Sequence, residues 1–200
     1  MSEEPTVFLV DDDPAVLSSV AKLLQAIFPR VETYGSASEL LAALDGSRPG
    51  CLVLDVAMPG MSGLELQKKL AEQGVDLPVI FLTGHSSVQM AVSAMQHGAI
   101  NFLEKPFREQ ELWDSVRKAL ETDRRNRRRR ARRDQIHQSM AALSAGEREV
   151  LQRILAGKSN KEIAADLDLS VRTVEDRRAR LMKKLDVGSL VDLVRMAMDA

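Results

Sequence analysis

Val7-Phe8-Leu9-Val10-Asp11-Asp12-Asp13-Pro14 decides the fold: four apolar residues run straight into three acids and a proline. An apolar run without alternation suits a strand covered on both faces. Proline is favoured at the first helical position, where an N–H would go unpaired anyway. A helical stripe follows, with apolar residues at 16, 17, 20, 24 and 27. The segment therefore reads as strand, acidic turn, helix.

The same alternation continues outward. Strands are predicted at 31–34 (a weak one), 51–54, 79–82 and 100–103. Between them Ser36 and Glu39 have capping-box spacing and open a helix through Leu44, and Ser62 and Glu65 open another that Gly74 ends. A helix carrying Val88, Ala91, Val92 and Met95 stops at Gly98, and a last one turns Leu112, Trp113, Val116 and Leu120 inward. Five strands alternating with five helices predict an α/β doubly wound five-stranded parallel sheet, flavodoxin-like, over 1–122.

Charge divides the rest of the chain. The net charge of −1 conceals an acidic first part, with 18 Asp/Glu against 9 Lys/Arg over 1–123. Eight arginines and no acid then fall within 124–133, while 134–200 carries eleven charges of each sign. A layout this polarised points to separate modules and a polyanionic partner. Arginine is a good helix former, but like charges at i,i+4, such as Arg124/Arg128, oppose a helix. The stretch 123–140 is therefore expected to be a partly helical linker, either solvated or lying on DNA phosphates.

From Leu143 the pattern is all helix. Ser144-x-x-Glu147 and Ser159-x-x-Glu162 are capping boxes, Ser170 precedes a third helix, and Ser189 opens a fourth after Gly188. Four helices over 141–200, two of them short and closely joined, predict an all-α helix-turn-helix domain.

Several classes are excluded. One cysteine, Cys51, rules out an intrachain disulfide and a Cys-based zinc site, and it reads as a small core residue. His85, His97 and His137 lack metal-ligand spacing. The N-terminus is acidic where a signal peptide is basic, and no apolar run approaches the ~20 residues of a membrane span. A cytoplasmic protein with no membrane partner is expected.

The chemistry collects at the carboxyl ends of the strands, where doubly wound sheets bind ligands. The first strand delivers Asp11, Asp12 and Asp13, the third Asp55, the fourth Thr83 and the fifth Lys105. Carboxylates packed this closely repel unless a cation joins them, and a hard divalent ion such as Mg²⁺ suits oxygen donors. Lys105 and Thr83 add donors for a phosphoryl group, and a carboxylate can accept one as an acyl phosphate. His85, beside Thr83, reads as a loop residue tuning access.

Over residues 6–120 the chain resembles the receiver domains of two-component response regulators. The carrying motifs are Val10-Asp11-Asp12, Leu54-Asp55, Met58-Pro59-Gly60-Met61-Ser62-Gly63, Leu82-Thr83-Gly84-His85 and Lys105-Pro106-Phe107. The resemblance implies that Asp55 is the phosphoacceptor. It implies Mg²⁺ on Asp11, Asp12, a carboxylate oxygen of Asp55 and the carbonyl of Ala57. It further implies that Thr83 and Lys105 bind the phosphoryl group, that Lys105-Pro106 is cis, and that Phe102 stands at the switch-aromatic position. Ala57 departs from the polar residue common at that place.

Residues 143–200 are similar to LuxR-type DNA-binding domains, so that the whole chain resembles a FixJ-type response regulator. The likeness implies a scaffold helix at 160–167 and a recognition helix at 171–185. Periodicity agrees: Val174, Arg178, Leu181 and Leu185 form one stripe, while Arg172, Glu175, Asp176, Ala179 and Lys183 face away. Arg172, Arg177, Arg180, Lys183 and Lys184 can reach phosphates, Glu175 or Asp176 can accept from a cytosine amino group, and Thr173 completes the candidate set.

The expected protein is a DNA-binding transcription regulator, not an enzyme with an external substrate. A sensor histidine kinase would phosphorylate Asp55, and a homodimer would then meet two DNA half-sites. Two rivals stand beside it: an Asp-nucleophile phosphatase or phosphotransferase on a similar sheet, and a DNA-binding protein whose receiver is vestigial. An RNA-binding output is weaker, because seven aromatics offer no stacking platform.

Overall fold

The computed structural model describes residues 4–44, 46–84 and 88–198, and the chain divides into two compact units, 1–126 and 127–200. In the first unit β1 (Thr6–Val10), β2 (Val31–Tyr34), β3 (Gly50–Asp55), β4 (Val79–Thr83) and β5 (Asn101–Glu104) alternate with α1 (Pro14–Gln25), α2 (Ala37–Ala43), α3 (Gly63–Glu72), α4 (Val88–Gln96) and the first half of α5 (Glu109–Ala141). Every strand pair is parallel, in the order β2-β1-β3-β4-β5. That is the flavodoxin-like doubly wound order, with its switch point between β1 and β3.

The continuous apolar runs are explained by two cores. β1, β3 and β4 are buried along their whole length. Successive side chains leave a strand on opposite faces. Phe8, Val10, Leu52, Leu54 and Phe81 therefore pack with Leu40 of α2, Leu66 of α3 and Ala94 of α4. Val7, Leu9, Cys51, Val53, Ile80 and Leu82 pack with Leu24 of α1 and with Leu112, Val116 and Ala119 of α5. Cys51 is the buried apolar residue expected, and burial pushes its thiol pKa up, with the charge of Asp123 adding to the shift. Trp113 joins the same core and donates its Nε1–H to the carbonyl of Leu23 at 3.0 Å.

Two expectations need correction, and α4 buries a narrower face than its apolar residues span. Ile27 lies beyond the end of α1 and is 41% exposed. On α4 the buried side is carried by Ala94 with Met90 one turn earlier, so Val92 and Met95 look outward, about half exposed. The largest difference is 123–140, which is helical throughout as part of α5. Arginine's intrinsic helix preference and anchorage on both sides outweigh the i,i+4 repulsion. Ala119 and Asp123 are buried in the first unit, and Ile136 is buried in the second.

In the second unit α6 (Ala145–Leu155), α7 (Asn160–Leu167), α8 (Val171–Lys184) and α9 (Leu190–Met198) follow the end of α5. Ser144 and Ser159 close full capping boxes with Glu147 and Glu162, as their spacing predicts. Ser36 caps α2, but Glu39 reaches the N–H of Gly35 at 2.7 Å, one residue short of a box. Ile136, Leu143, Val150, Ile154, Ile163, Val174, Leu181, Leu185 and Leu193 build the second unit's core. Among the described residues no helix is long and apolar enough to cross a membrane.

Candidate functional site

Four strand ends assemble the acidic site of the first unit. β1 ends just before Asp11 and β3 ends on Asp55, so the two carboxylates flank the switch point. Both residues are buried, as is Thr83 at the end of β4. Lys105, one residue past β5, joins them: its Nζ donates to Asp11 Oδ2 and to Asp55 Oδ1, each at 2.7 Å. Burial works against the charge on this ammonium, but the hydrogen bonds and charges of the two carboxylates outweigh it and hold the Lys105 pKa above its ordinary value. The Lys105-Pro106 peptide is cis.

The backbone fixes the remaining oxygens. The N–H of Ala57 donates to Asp55 Oδ2 at 2.7 Å, and the N–H of Asp13 to Asp11 Oδ1 at 3.0 Å. Asp13 itself is the N-cap of α1, accepting from the N–H groups of Ala15 and Val16. Behind Asp55, α3 starts so close that a Cβ on Gly63 would stand 2.2 Å from the Asp55 carbonyl oxygen. A side chain at 63 would push the acid out of place.

The sequence places three carboxylates on one cation. The structure brings Asp11 and Asp55 together on Lys105 and leaves Asp12 exposed beside them. Among the described residues no group of three or more His, Cys, Asp or Glu side chains is drawn together for a metal. The Lys105 ammonium already offsets the repulsion that made a divalent ion necessary on sequence grounds. The donor set still fits Mg²⁺: two converging carboxylates, a third alongside and the nearby Ala57 carbonyl are all hard oxygens. Phe102 is half-buried, with its ring centroid 6.2 Å from that of Phe81. His85 lies outside the described residues.

In the second unit α8 sorts its charged side chains in two directions. Arg172, Glu175, Asp176, Ala179, Arg180 and Lys183 are exposed, opposite buried Val174, Leu181 and Leu185. Arg178 donates to Asn160 Oδ1 of α7 at 3.0 Å. Thr173 is tied to the cap, its hydroxyl 2.7 Å from that of Ser170. Two further candidates touch α6, Lys184 while itself exposed and Arg177 half-buried. Lys184 Nζ donates to Glu147 Oε2 at 2.7 Å and to the Ala142 carbonyl at 3.3 Å. The Arg177 guanidinium lies over Gly146, where a Cβ would come within 2.5 Å of Nη1.

Sequence reasoning missed two buried acids. Glu147 is legible as a capping residue but not as the partner of Lys184, whose hydrogen bond lowers its pKa to about 2, with the Ser144 N–H assisting. Asp123 is 3% exposed and accepts the N–H of Gly50 at 3.1 Å. No local pattern marks it.

Comparison with known proteins agrees with this architecture. Residues 7–117 match the response regulator receiver domain family, and residues 141–197 match the bacterial regulatory proteins of the luxR family. The chain is 42% identical over 194 residues to the response regulator protein TmoT of Ectopseudomonas mendocina, covering 97% of this chain and 88% of that protein. It is 43% identical over 198 residues to the transcriptional regulatory protein FixJ of Azorhizobium caulinodans, covering 99% and 94%. The solved structure of the response regulator StyR superimposes with a TM-score of 0.89 at 41% identity, covering 99% of this chain and all of that one. The chain belongs to the response regulators. Within them it has the receiver-plus-LuxR arrangement of the FixJ type and is a DNA-binding transcriptional regulator. Receiver domains generally bind Mg²⁺ at their acidic pocket and take their signal from a sensor kinase.

Proposed function

We propose that Asp55 accepts a phosphoryl group from a sensor histidine kinase and that this switches DNA binding by the C-terminal unit. The observation that carries the reading is the convergence of Asp11, Asp55 and Lys105 across the β1/β3 switch point, with a 2.7 Å contact to each acid. A carboxylate oxygen of Asp55 forms the P–O bond as the P–N bond of the kinase phosphohistidine breaks, and the imidazole leaves. Lys105 neutralises charge on the transferring oxygens, and Thr83 supplies a hydrogen bond to the phosphoryl group. Asp11, Asp12, Asp55 and the Ala57 carbonyl would hold Mg²⁺, which supplies further neutralisation.

The phosphorylated receiver dimerises, with Phe102 following Thr83 in the switch. Two α8 helices then meet half-sites about one DNA turn apart. Arg172, Arg180 and Lys183 contact phosphates there, and Glu175 or Asp176 reads a base edge. Arg177, Thr173 and Lys184 act at the same surface by setting the pose of α8. The protein works in the cytoplasm and turns over no external substrate.

The test is labelling with a small phosphodonor such as acetyl phosphate. Wild type becomes labelled in a Mg²⁺-dependent reaction, and Asp55→Asn does not. Labelling of Asp55→Asn at another residue overturns the assignment.

A further inference from the structure

Five of the eight arginines at 124–133 share one face of helix α5. On α5, Arg125, Arg128, Arg129, Arg132 and Arg133 recur at i, i+3, i+4, i+7 and i+8, one helical face about 12 Å long. The same face continues to Ile136, which is buried in the core of the second unit with Leu185, Leu193 and Met196. The stripe is therefore carried on the side of α5 that meets the DNA-binding module. Arg128, Arg129, Arg132 and Arg133 line an open hollow of about 520 Å³ together with Met198 of α9. In the next hollow along, Arg132 and Arg195 stand with Asp186 and Asp192. Among the described residues, Arg128, Arg129 and Arg133 meet no acidic partner.

The recognition helix on its own is short of positive charge. Arg177, Arg178 and Lys184 are committed to contacts with α6 and α7. Four exposed bases, Arg172, Arg180, Lys183 and the already paired Lys184, then stand against two exposed acids, Glu175 and Asp176. Residues 134–200 as a whole are electrically neutral. Affinity for duplex DNA comes chiefly from neutralising phosphates and releasing their counterions, and a duplex carries a charge every ~1.7 Å. Guanidinia gathered at this spacing on one helix face offer a row of positive charge on the scale of that phosphate spacing.

We infer that the Arg128, Arg129, Arg132 and Arg133 face of α5 is a second DNA-contacting surface, binding phosphates beside the site read by α8. The inference deepens the proposed function and rests on its DNA-binding reading. Phosphate contacts position a protein without reading sequence, so the stripe supplies affinity and α8 supplies preference.

The experiment measures binding of the phosphorylated full chain to a short mixed-sequence duplex between about 50 and 200 mM salt. Substituting the four arginines by Gln, a good helix former, flattens the slope of log K against log salt by about three to four units, at ~0.9 per contact. Substituting all four by Lys keeps the wild-type slope. Where circular dichroism finds the Gln variant unfolded, Arg129→Gln alone is read, with a loss of about one unit. A Gln variant with the wild-type slope overturns the inference and leaves the DNA-binding reading intact. One that binds tighter at the same slope overturns it too, and assigns the stripe to the acidic receiver. Wild type that fails to bind duplex even at about 50 mM salt overturns the DNA-binding reading itself.

Discussion

Asp123 of α5 holds the first N–H of the strand that ends in Asp55: its Oδ2 accepts from Gly50 at 3.1 Å, in a buried setting. One end of β3 carries the candidate phosphoacceptor, and the other is bonded to the helix that runs on into the arginine face. Asp123→Ala strips a buried N–H of its acceptor, which costs about 1–3 kcal/mol. Asp123→Asn keeps a carbonyl oxygen at that point and loses less. Urea unfolding of both variants checks the order; equal losses would show that the Gly50 bond is not what Asp123 contributes.

Thr83→Ala separates chemistry from switching. Thr83 is buried at the end of β4, and its proposed role is a hydrogen bond to the phosphoryl group, not the covalent bond. The variant is expected to label with acetyl phosphate yet to stay monomeric in sedimentation after labelling. Normal phosphorylation-dependent dimers would remove Thr83 from the coupling route.

The Glu147–Lys184 pair gives the second unit a signature in acid. The hydrogen bond from Lys184 lowers the Glu147 pKa from its ordinary 4.5 to about 2. A depressed carboxylate stabilises the fold above its unfolded pKa, and that stabilisation fades as pH falls through the folded value. The gap in melting temperature between wild type and Lys184→Gln should therefore be constant from neutral pH to about 4.5 and close towards pH 2. Thermal melts of both proteins across this range check it, and a gap that persists at pH 2 points to packing of the lysine stem instead.

Asp168 ends α7 with φ +52°, in the left-handed region where a Cβ is penalised. Its side chain is exposed. Asp168→Gly relieves the strain at some cost in chain entropy, with a net gain of about 0.5 kcal/mol. A rise of a degree or two in melting temperature with unchanged DNA affinity is the expected result.

What the sequence made legible follows from range. The apolar runs at 7–10, 51–54 and 79–82 declare a sheet covered on both faces, because both faces' needs are written into one strand. The Ser-x-x-Glu boxes at 144 and 159 mark helix starts because cap and partner are three residues apart. Lys184, Arg177 and Asp123 escaped because their partners lie 31 to 73 positions away on other elements. The helix through 123–140 was misjudged for a related reason. The repulsion between its arginines is local and visible, whereas the burial of Asp123 and Ile136 that steadies it is not.

The continuity of α5 also converts spacing along the chain into angle. Each helical residue turns the axis by about 100°, so Arg129 and Ile136, seven residues apart, differ in azimuth by only about 20°. The segment between Arg133 and Ile136 thus acts as a gear whose teeth are residues. One inserted alanine swings the guanidinia roughly a quarter turn away from the face that Ile136 anchors, while seven inserted residues bring them nearly back into phase. What that stretch of chain preserves is its phase, and its length counts only modulo the turn of the helix.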